Sequence, residues 1–248
     1  MNTTPVHWQT PEPPIEPAPG QLSVWRATLN ANQRDLDRYL LWLSTAEKRR
    51  AERLINPVHQ NRYIVAKAML RHLLGHYRNI APGEVHYRTG PKGKPYLRES
   101  PAMPILSFNA TDCEQLMLIA IAGNNELGID LEKLDRQGRF DQIVARRFAV
   151  PEHASLLSGD VHTRRHNFLC CWTRKEAYGK AIGLGIHYPL NEINLCEAIN
   201  KNEMHVVDPD SNHWYLQQFY PDTDNVACLV CKNKPVSIHY YDLDALKP

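Results

Sequence analysis

Two acidic residues lie two positions apart in the short stretch "GIDLE". Alternate residues of a β-strand point to the same side, so Asp130 and Glu132 would project together while Ile129 and Leu131 face a hydrophobic core. Neighbouring carboxylates repel each other unless a cation neutralises them or one takes up a proton. The pair therefore indicates either a cation site or, more simply, an exposed sheet edge.

A second stretch, "WTRKEAYGKAIGLG", places acidic and basic residues at helical spacing. Trp172, Glu176 and Lys180 are four residues apart and would line one face of a helix. Gly179 inside that helix costs about 1 kcal/mol relative to alanine, which indicates a close approach of backbone or ligand. The simpler alternative is an exposed Glu–Lys pair, worth about 0.3–0.5 kcal/mol.

The two stretches together favour a metal site. Asp130, Glu132 and Glu176 would offer three carboxylates to one Mg²⁺, an ion that prefers oxygen ligands and often bridges to substrate phosphates. Lys180, one turn from Glu176, would neutralise negative charge that develops on a phosphate group. Mn²⁺ stays open as an alternative metal.

Hydrophobic periodicity predicts the elements that must position these residues. Strands are predicted at 21–29, 84–89, 105–110, 115–123, 126–132, 192–196, 214–219, 226–232 and 236–242. Helices are predicted at 32–54 with a break at Ser44, at 57–79, 140–148, 151–157 and 162–182.

The order of these elements predicts an α+β fold of two similar α/β halves, 21–123 and 124–248. Residues 1–20 contain six prolines and are expected to be extended on the surface or disordered. The first 123 residues hold 15 Lys and Arg against 10 Asp and Glu, and the rest hold 14 against 17, giving net charges of +5 and −3. This asymmetry suits a ligand with several phosphates plus a metal ion, although ordinary surface variation explains it equally well.

The composition excludes several classes of protein. Hydrophobic residues make up 43% of the chain, but no apolar run of about 18 residues exists, so no membrane partner is expected. The net charge of +2 argues against bulk nucleic-acid binding. The first residues lack the features of a secretory signal, which predicts a cytoplasmic protein whose six cysteines are thiols. Cys228 and Cys231 have the spacing of metal ligands but are expected to be structural residues of a buried strand.

"GIDLEK" followed after about 40 residues by "WTRKEAYGKAIGLG" resembles the signature of the 4′-phosphopantetheinyl transferases, in the long Sfp-type class. "LSTAEKRRAERL", "NRYIVAKAMLRHLL", "GKPYL" and "FNA" resemble further motifs of that family, so the similarity covers most of residues 44–190. The resemblance implies two halves related by pseudo-twofold symmetry with a cleft between them. It also implies a monomer, because both halves of the cleft are present on one chain.

The family's reaction is implied with its fold. Coenzyme A binds in the cleft, and a serine hydroxyl of an apo acyl or peptidyl carrier protein attacks its β-phosphate. The 4′-phosphopantetheine arm is transferred and 3′,5′-ADP leaves. A weakened relative that binds coenzyme A or a carrier protein with little transfer stays open, as does a Mg²⁺-dependent nuclease or phosphatase with the same carboxylates.

Residue by residue, the resemblance implies that Asp130, Glu132 and Glu176 hold Mg²⁺ and that Glu176 is also the base for the serine. Lys180 would contact the diphosphate and assist the leaving group. The coenzyme A-binding residues implied are Lys48, Arg53, Arg62, Lys94, Pro95, Asn109, Thr111, Lys175 and Lys180.

One position departs from the family pattern. Asp112 stands where the family has a phosphate-binding histidine, and its negative charge cannot take over that role. A basic stretch after "GIDLE" is the predicted docking surface for an acidic carrier protein, unless it is simply a solvated basic helix. Its arginines are Arg136, Arg139, Arg146 and Arg147.

Overall fold

The computed structural model describes residues 4–12, 20–98, 104–197 and 199–247, and for Ile186 the backbone alone. The α-helices in these ranges are α1 (Gln33–Trp42), α2 (Thr45–Glu52), α3 (Pro57–Arg78), α4 (Phe140–Arg147), α5 (Val150–Leu157) and α6 (Val161–Ala181). The strands are β1 (Gln21–Thr28), β2 (Tyr87–Thr89), β3 (Pro95–Leu97), β4 (Leu106–Cys113), β5 (Leu116–Gly123), β6 (Leu127–Lys133), β7 (Glu203–Val207), β8 (His213–Phe219), β9 (Asn225–Cys231) and β10 (Ser237–Asp242). None of these helices is long and apolar enough to cross a membrane.

The predicted break between the first two helices lies at Ser44. The Ser44 hydroxyl accepts a hydrogen bond from Glu47 N at 3.3 Å, and the Glu47 carboxylate accepts one from Ser44 N at 2.8 Å, which forms a capping box. Helix α3 begins with Pro57, and proline costs no hydrogen bond there because the first N–H groups of a helix have no partner within it. The helix ends before Asn79, whose φ of 51° turns the chain out of the helical conformation. Local sequence therefore determines the ends of the helices that cover the first sheet.

Two four-stranded sheets pack face to face, and helices cover their outer faces. The strand order is β10-β1-β5-β4 in the first sheet and β6-β9-β8-β7 in the second. Leu127, Ile129 and Leu131 of β6 pack between the sheets, as the alternation predicts. The residues between them, including Asp130, point to the opposite face, on which α6 packs.

The strand order repeats between the sheets. In the first sheet β5 lies between β1 and β4, and in the second β9 lies between β6 and β8. In both, helices follow the first of these strands along the chain. The mixed α and β fold is therefore confirmed.

The division at residue 124 does not hold for β10, because this last strand pairs in parallel with β1 and so belongs to the first sheet.

The predicted strand at 192–196 is wrong. The chain forms a short 3₁₀ turn at Leu190–Glu192 and continues as an irregular segment. Buried side chains use the backbone groups that a neighbouring strand would need: Lys175 donates to two carbonyl oxygens of this segment, and Glu152 accepts from Leu195 N. Two short strands, β3 and β7, were not predicted.

The described part of the N-terminal segment, residues 4–12, lies extended on the surface. Gln9 forms a parallel bridge with Tyr241, and Trp8 Nε1 donates to Pro221 O at 2.8 Å. These contacts agree with the extended alternative of the prediction. Residues 13–19, which hold four of the six prolines of this stretch, lie outside the described residues.

The cysteines differ in part from the prediction. The structure joins Cys171 in α6 to Cys196 by a disulfide, with the Cα atoms 5.5 Å apart, so the expectation of six thiols is wrong for this pair. Cys228 and Cys231 are buried thiols of β9, as predicted.

Candidate active site

The acidic strand β6 lies directly against α6 because Gly128 leaves room for the helix. A Cβ atom on Gly128 would lie 2.1 Å from Ala177 O and 2.4 Å from Ala181 N, so only glycine fits. Asp130 is the next residue on the same side of β6 and is 7% exposed. The close packing of strand and helix therefore places Asp130 within reach of the side chains of α6.

Lys180, in the last turn of α6, connects three elements through one ammonium group. Its Nζ donates to Asp130 Oδ1 at 2.7 Å, to Thr111 Oγ1 at 3.1 Å and to Ile129 O at 3.1 Å. These bonds use all three donors of the ammonium group. The structure thus brings together three residues that the sequence predicted for one site, from β4, β6 and α6.

Two glycines shape the end of α6 beside Lys180. A Cβ atom on Gly179 would lie 2.8 Å from Gly185 O, which confirms the predicted close approach and identifies backbone as the neighbour. Gly183 has φ +78°, and a Cβ atom there would lie 3.2 Å from the hydroxyl of Tyr96 in β3. The turn after α6 therefore packs against the β2–β3 hairpin.

An open cavity of about 480 Å³, here called the active-site cavity for its candidate role, contains the predicted carboxylates. The residues that line it are Ala110, Thr111, Asp112, Cys113, Asp130, Leu131, Glu132, Arg136, Trp172, Glu176 and Lys180. Four carboxylates against two cationic side chains leave a formal charge of −2. One divalent cation would neutralise that charge.

Burial makes the ionised forms of these carboxylates costly. Desolvation raises the pKa of Asp130, and the charge of Lys180 opposes this rise. Desolvation, followed by repulsion from Asp130, also raises the pKa values of Glu132 and Glu176. Carboxyl groups with raised pKa values in a cavity are typical of groups that exchange protons during catalysis.

The three carboxylates do not form a metal-binding cluster in this structure. Among the described residues, no group of three or more His, Cys, Asp or Glu side chains is placed to hold a metal ion. Glu132 Oε1 instead accepts from Arg136 Nη1 at 2.5 Å. Asp130 Oδ2 and Glu176 Oε1 are buried and have no hydrogen-bond partner in the described part of the chain. These two oxygens and the charge of the cavity fit a hard divalent cation.

A second cavity, of about 710 Å³, lies between the β2–β3 hairpin and the end of α6. Lys94 and Pro95, two of the residues predicted to bind coenzyme A, line it, and so do three residues that the sequence did not indicate: Arg78, Arg88 and Tyr96. The Arg88 guanidinium lies over the Tyr96 ring, 5.5 Å from its centroid. Of these three residues, Arg88 could have been found from the sequence, because it lies on a predicted strand immediately before the GKP turn.

Lys94 connects this hairpin to the second half of the chain. Its Nζ donates to Leu127 O at 2.9 Å and to Ala181 O at 2.8 Å. Burial lowers the pKa of Lys94 to about 8. Two of the three ammonium donors therefore hold the start of β6 and the end of α6 next to the cavity.

Three predicted basic residues lie away from both cavities. Lys48 and Arg62 are half-buried, Arg53 is exposed, and none of them lines either cavity. Arg62 Nε is buried, and no described residue forms a hydrogen bond with it. Contact of these residues with coenzyme A stays a prediction.

Two predicted coenzyme A ligands have structural roles instead. Lys175 is fully buried, with its Nζ 2.8 Å from Glu152 Oε2, because it points to the opposite side of α6 from the active-site cavity. Asn109 is 6% exposed, and its Oδ1 accepts from Ile129 N at 2.9 Å, which ties β4 to β6. The structure disagrees with direct ligand contacts for both side chains.

The predicted docking arginines fall into two groups. Arg139, Arg146 and Arg147, here called the arginine face, line a shallow recess of about 370 Å³ together with Trp172. Trp172 also lines the active-site cavity, so the two recesses adjoin. Arg136 faces the active-site cavity and pairs with Glu132.

Comparison with known proteins gives a consistent result. A model of the 4′-phosphopantetheinyl transferase superfamily matches residues 126–231. The chain is 31% identical to 4′-phosphopantetheinyl transferase HetI of Nostoc over 90% of this chain and 93% of the relative. It is 23% identical to 4′-phosphopantetheinyl transferase psf-1 of Bacillus pumilus over 82% of this chain and 84% of the relative. These similarities span both halves, and the chain belongs to the 4′-phosphopantetheinyl transferase superfamily of enzymes.

Proposed function

We propose that this protein transfers the 4′-phosphopantetheine arm of coenzyme A to a serine of an apo acyl or peptidyl carrier protein and releases 3′,5′-ADP. The observation that carries this proposal is the shared cavity of Asp130, Glu176 and Lys180, with its formal charge of −2 and its unpartnered carboxylate oxygens. Relatives that align with both halves are 4′-phosphopantetheinyl transferases, which supports the same reaction in the Sfp-type class.

Mg²⁺ is the proposed metal, with Mn²⁺ as the alternative. Asp130, Glu132 and Glu176 would hold it, since oxygen ligands suit such an ion. The metal, when bound, supplies charge neutralisation for the diphosphate of coenzyme A. The net charge of the cavity and the raised pKa values of its carboxyl groups support this assignment.

Glu176 takes the proton of the attacking serine, directly or through water. A serine hydroxyl is a poor nucleophile at neutral pH and needs a proton acceptor within reach, and the Glu176 carboxylate lines the cavity that the serine would enter. The serine oxygen bonds to the β-phosphorus, and the bond from that phosphorus to the bridging oxygen breaks. The positive charge of Lys180 stabilises the leaving 3′,5′-ADP, and its three hydrogen bonds hold the ammonium group in position before reaction. The Thr111 hydroxyl of β4 donates to Asp130 Oδ1 at a long 3.4 Å and would donate to a phosphate oxygen instead when coenzyme A binds.

The nucleotide end of coenzyme A occupies the larger cavity in this proposal. Tyr96 offers a flat ring for the adenine, and Arg78, Arg88 and Lys94 offer positive charge for phosphates. This places the cofactor across the two halves, which we propose are related by pseudo-twofold symmetry. A monomer in the cytoplasm would then contain the complete site.

The carrier protein approaches over the arginine face. This face adjoins the active-site cavity through Trp172, so a serine presented there reaches Glu176. Acidic carrier proteins are attracted to such a basic surface, which chiefly raises the rate of encounter.

The transfer is tested by incubating the protein with coenzyme A, Mg²⁺ and an apo carrier protein and then weighing the carrier. A mass gain of one phosphopantetheine group supports the proposal. No gain, despite direct binding of coenzyme A, would leave a binding protein and exclude the transferase assignment. Release of inorganic phosphate or cleavage of nucleic acid would instead indicate a hydrolase.

A further inference from the structure

Glu132 is already paired with a cationic side chain of the same chain. Arg136 Nη1 lies 2.5 Å from Glu132 Oε1, and both residues line the active-site cavity. The Arg136 side chain is 41% exposed, whereas that of Glu132 is 14% exposed. Within the described residues, the guanidinium forms no further hydrogen bond. A charged group held by one contact and surrounded by water is easily displaced.

The second cationic group of the cavity is held very differently. Lys180 donates to three acceptors, two of which do not belong to a predicted metal ligand: Thr111 Oγ1 and Ile129 O. Lys180 can therefore lose its bond to Asp130 and remain in place. Arg136 lies in the segment between β6 and α4, so its movement disturbs no hydrogen-bonded helix or strand.

We propose that Arg136 is a built-in counter-ion of Glu132, which competes with the divalent cation and is released when the metal binds. This inference rests on the proposed function, because it takes Glu132 as a metal ligand. A guanidinium at hydrogen-bond distance from Glu132 repels a divalent cation on the same carboxylate. Arg136 thus keeps Glu132 neutralised in the free protein and lowers the affinity for metal.

The exchange has a consequence for the neighbouring surface. Once released, the Arg136 guanidinium is free to turn outwards in the segment that leads to the arginine face. The metal-loaded protein then presents one more positive charge beside that face than the metal-free protein does.

The test compares two arginine variants by titration with Mn²⁺ alone, in which electron paramagnetic resonance measures the free ion. Arg136→Gln should lower the Kd for Mn²⁺ about fivefold, the factor expected for removal of a partly exposed ion pair. Arg139→Gln removes the same charge from the same segment without touching Glu132, and its effect should stay below about twofold because solvent screens it. Circular dichroism confirms that both variants are folded.

Equal effects of the two variants, or weaker metal binding by Arg136→Gln, would overturn the inference. Equal effects would show that Arg136 acts only through its contribution to the net charge of the surface. Weaker metal binding would show that Arg136 supports the metal site. A different failure has a different signature. If the unmodified protein binds no Mn²⁺ in a saturable manner, the metal site of the proposed function fails first, and the role of Arg136 fails with it.

Discussion

Lys180 Nζ lies 2.7 Å from Asp130 Oδ1, and this pair joins the last turn of α6 to the middle of β6. The lysine side chain is 26% exposed and the aspartate side chain 9% exposed, so the pair forms a wall of the cavity that a ligand can reach. Gly128 makes the contact possible, because any larger residue would separate strand from helix. The candidate active site is thus assembled by one strand, one helix and the glycine at their crossing.

Replacing Glu176 with glutamine tests the proposed base. Glutamine keeps the size of the side chain but cannot accept the serine proton, so transfer should fall at least about 100-fold. Coenzyme A binding measured without a divalent metal should persist, since Glu176 is proposed to act on the diphosphate only through the metal. Mass spectrometry of the carrier protein measures transfer, and calorimetry measures binding.

The matched control is Glu197→Gln, which makes the same change at an exposed position. This variant should transfer at the unmodified rate. Substantial activity of Glu176→Gln would remove Glu176 from the role of base and leave it at most as a metal ligand.

The sequence sufficed for features that depend on local spacing. Alternation placed Asp130 opposite Ile129, and the four-residue spacing placed Glu176 and Lys180 on one side of α6. Ser44 ended and restarted a helix because its hydrogen bonds are made within four residues. In each case the residues that determine the structure lie within four positions of one another in the chain.

Features that depend on distant partners could not be predicted in this way. Helical spacing indicates that Lys175 and Glu176 point in different directions, but only the fold shows that Lys175 meets Glu152. In the same way, β10 pairs with β1, more than 200 residues away in the chain. The wrong strand at 192–196 has the same origin, because its backbone groups bind the side chains of that buried pair.

Lys175→Met should destabilise the protein strongly without a direct effect on coenzyme A. It leaves the Glu152 carboxylate buried without its counter-ion, which typically costs about 3–5 kcal/mol. Urea unfolding measures the loss, and the KM for coenzyme A of the folded fraction should stay within about twofold of the unmodified value. Lys133→Met, which removes a lysine from an exposed pair with Glu114, should unfold like the unmodified protein.

A stable Lys175→Met variant with a raised KM for coenzyme A would contradict this assignment. Such a result would return Lys175 to the ligand-binding role that the resemblance implied.

Replacing Asp112 tests the position that departs from the family pattern. Asp112 lines the active-site cavity, and its negative charge would repel the phosphates of a coenzyme A molecule bound there. Asp112→His should therefore tighten coenzyme A binding, which calorimetry measures. Asp112→Asn separates the loss of the negative charge from the gain of an imidazole ring, because it removes the charge without adding a phosphate-binding group. Unchanged or weaker binding by Asp112→His would count against a phosphate-facing side chain.

Charge reversal tests the arginine face as the carrier-protein surface. Arg139→Glu combined with Arg146→Glu should raise the KM for the carrier protein about tenfold, since the loss acts mainly on association. The KM for coenzyme A should change little, because neither arginine lines the larger cavity. Arg34→Glu makes the same kind of change at an exposed position of α1 and should leave both constants unaltered. An equal rise of both KM values would indicate a folding defect instead of a docking surface.

The buried ammonium of Lys94 predicts a stability that depends on pH. Its pKa is lowered by burial to about 8 in the folded protein, against 10.5 for an ordinary lysine. Below pH 8 both states carry the proton, so the free energy of unfolding does not change with pH on account of Lys94. Between 8 and 10.5 the unfolded chain binds more protons than the folded protein, so unfolding becomes less favourable as the pH rises.

The stability of the unmodified protein relative to Lys94→Met should therefore increase across this range, by at most about 3 kcal/mol. Urea unfolding at pH values on both sides of 8 measures the difference. Lys94→Arg is the matched control, since arginine stays protonated throughout and should show no such increase. A constant difference between the unmodified protein and Lys94→Met would mean that the Lys94 ammonium titrates alike in both states. The hydrogen bonds to Leu127 O and Ala181 O would then be exposed to water, and the contact between the hairpin and α6 would be open in solution.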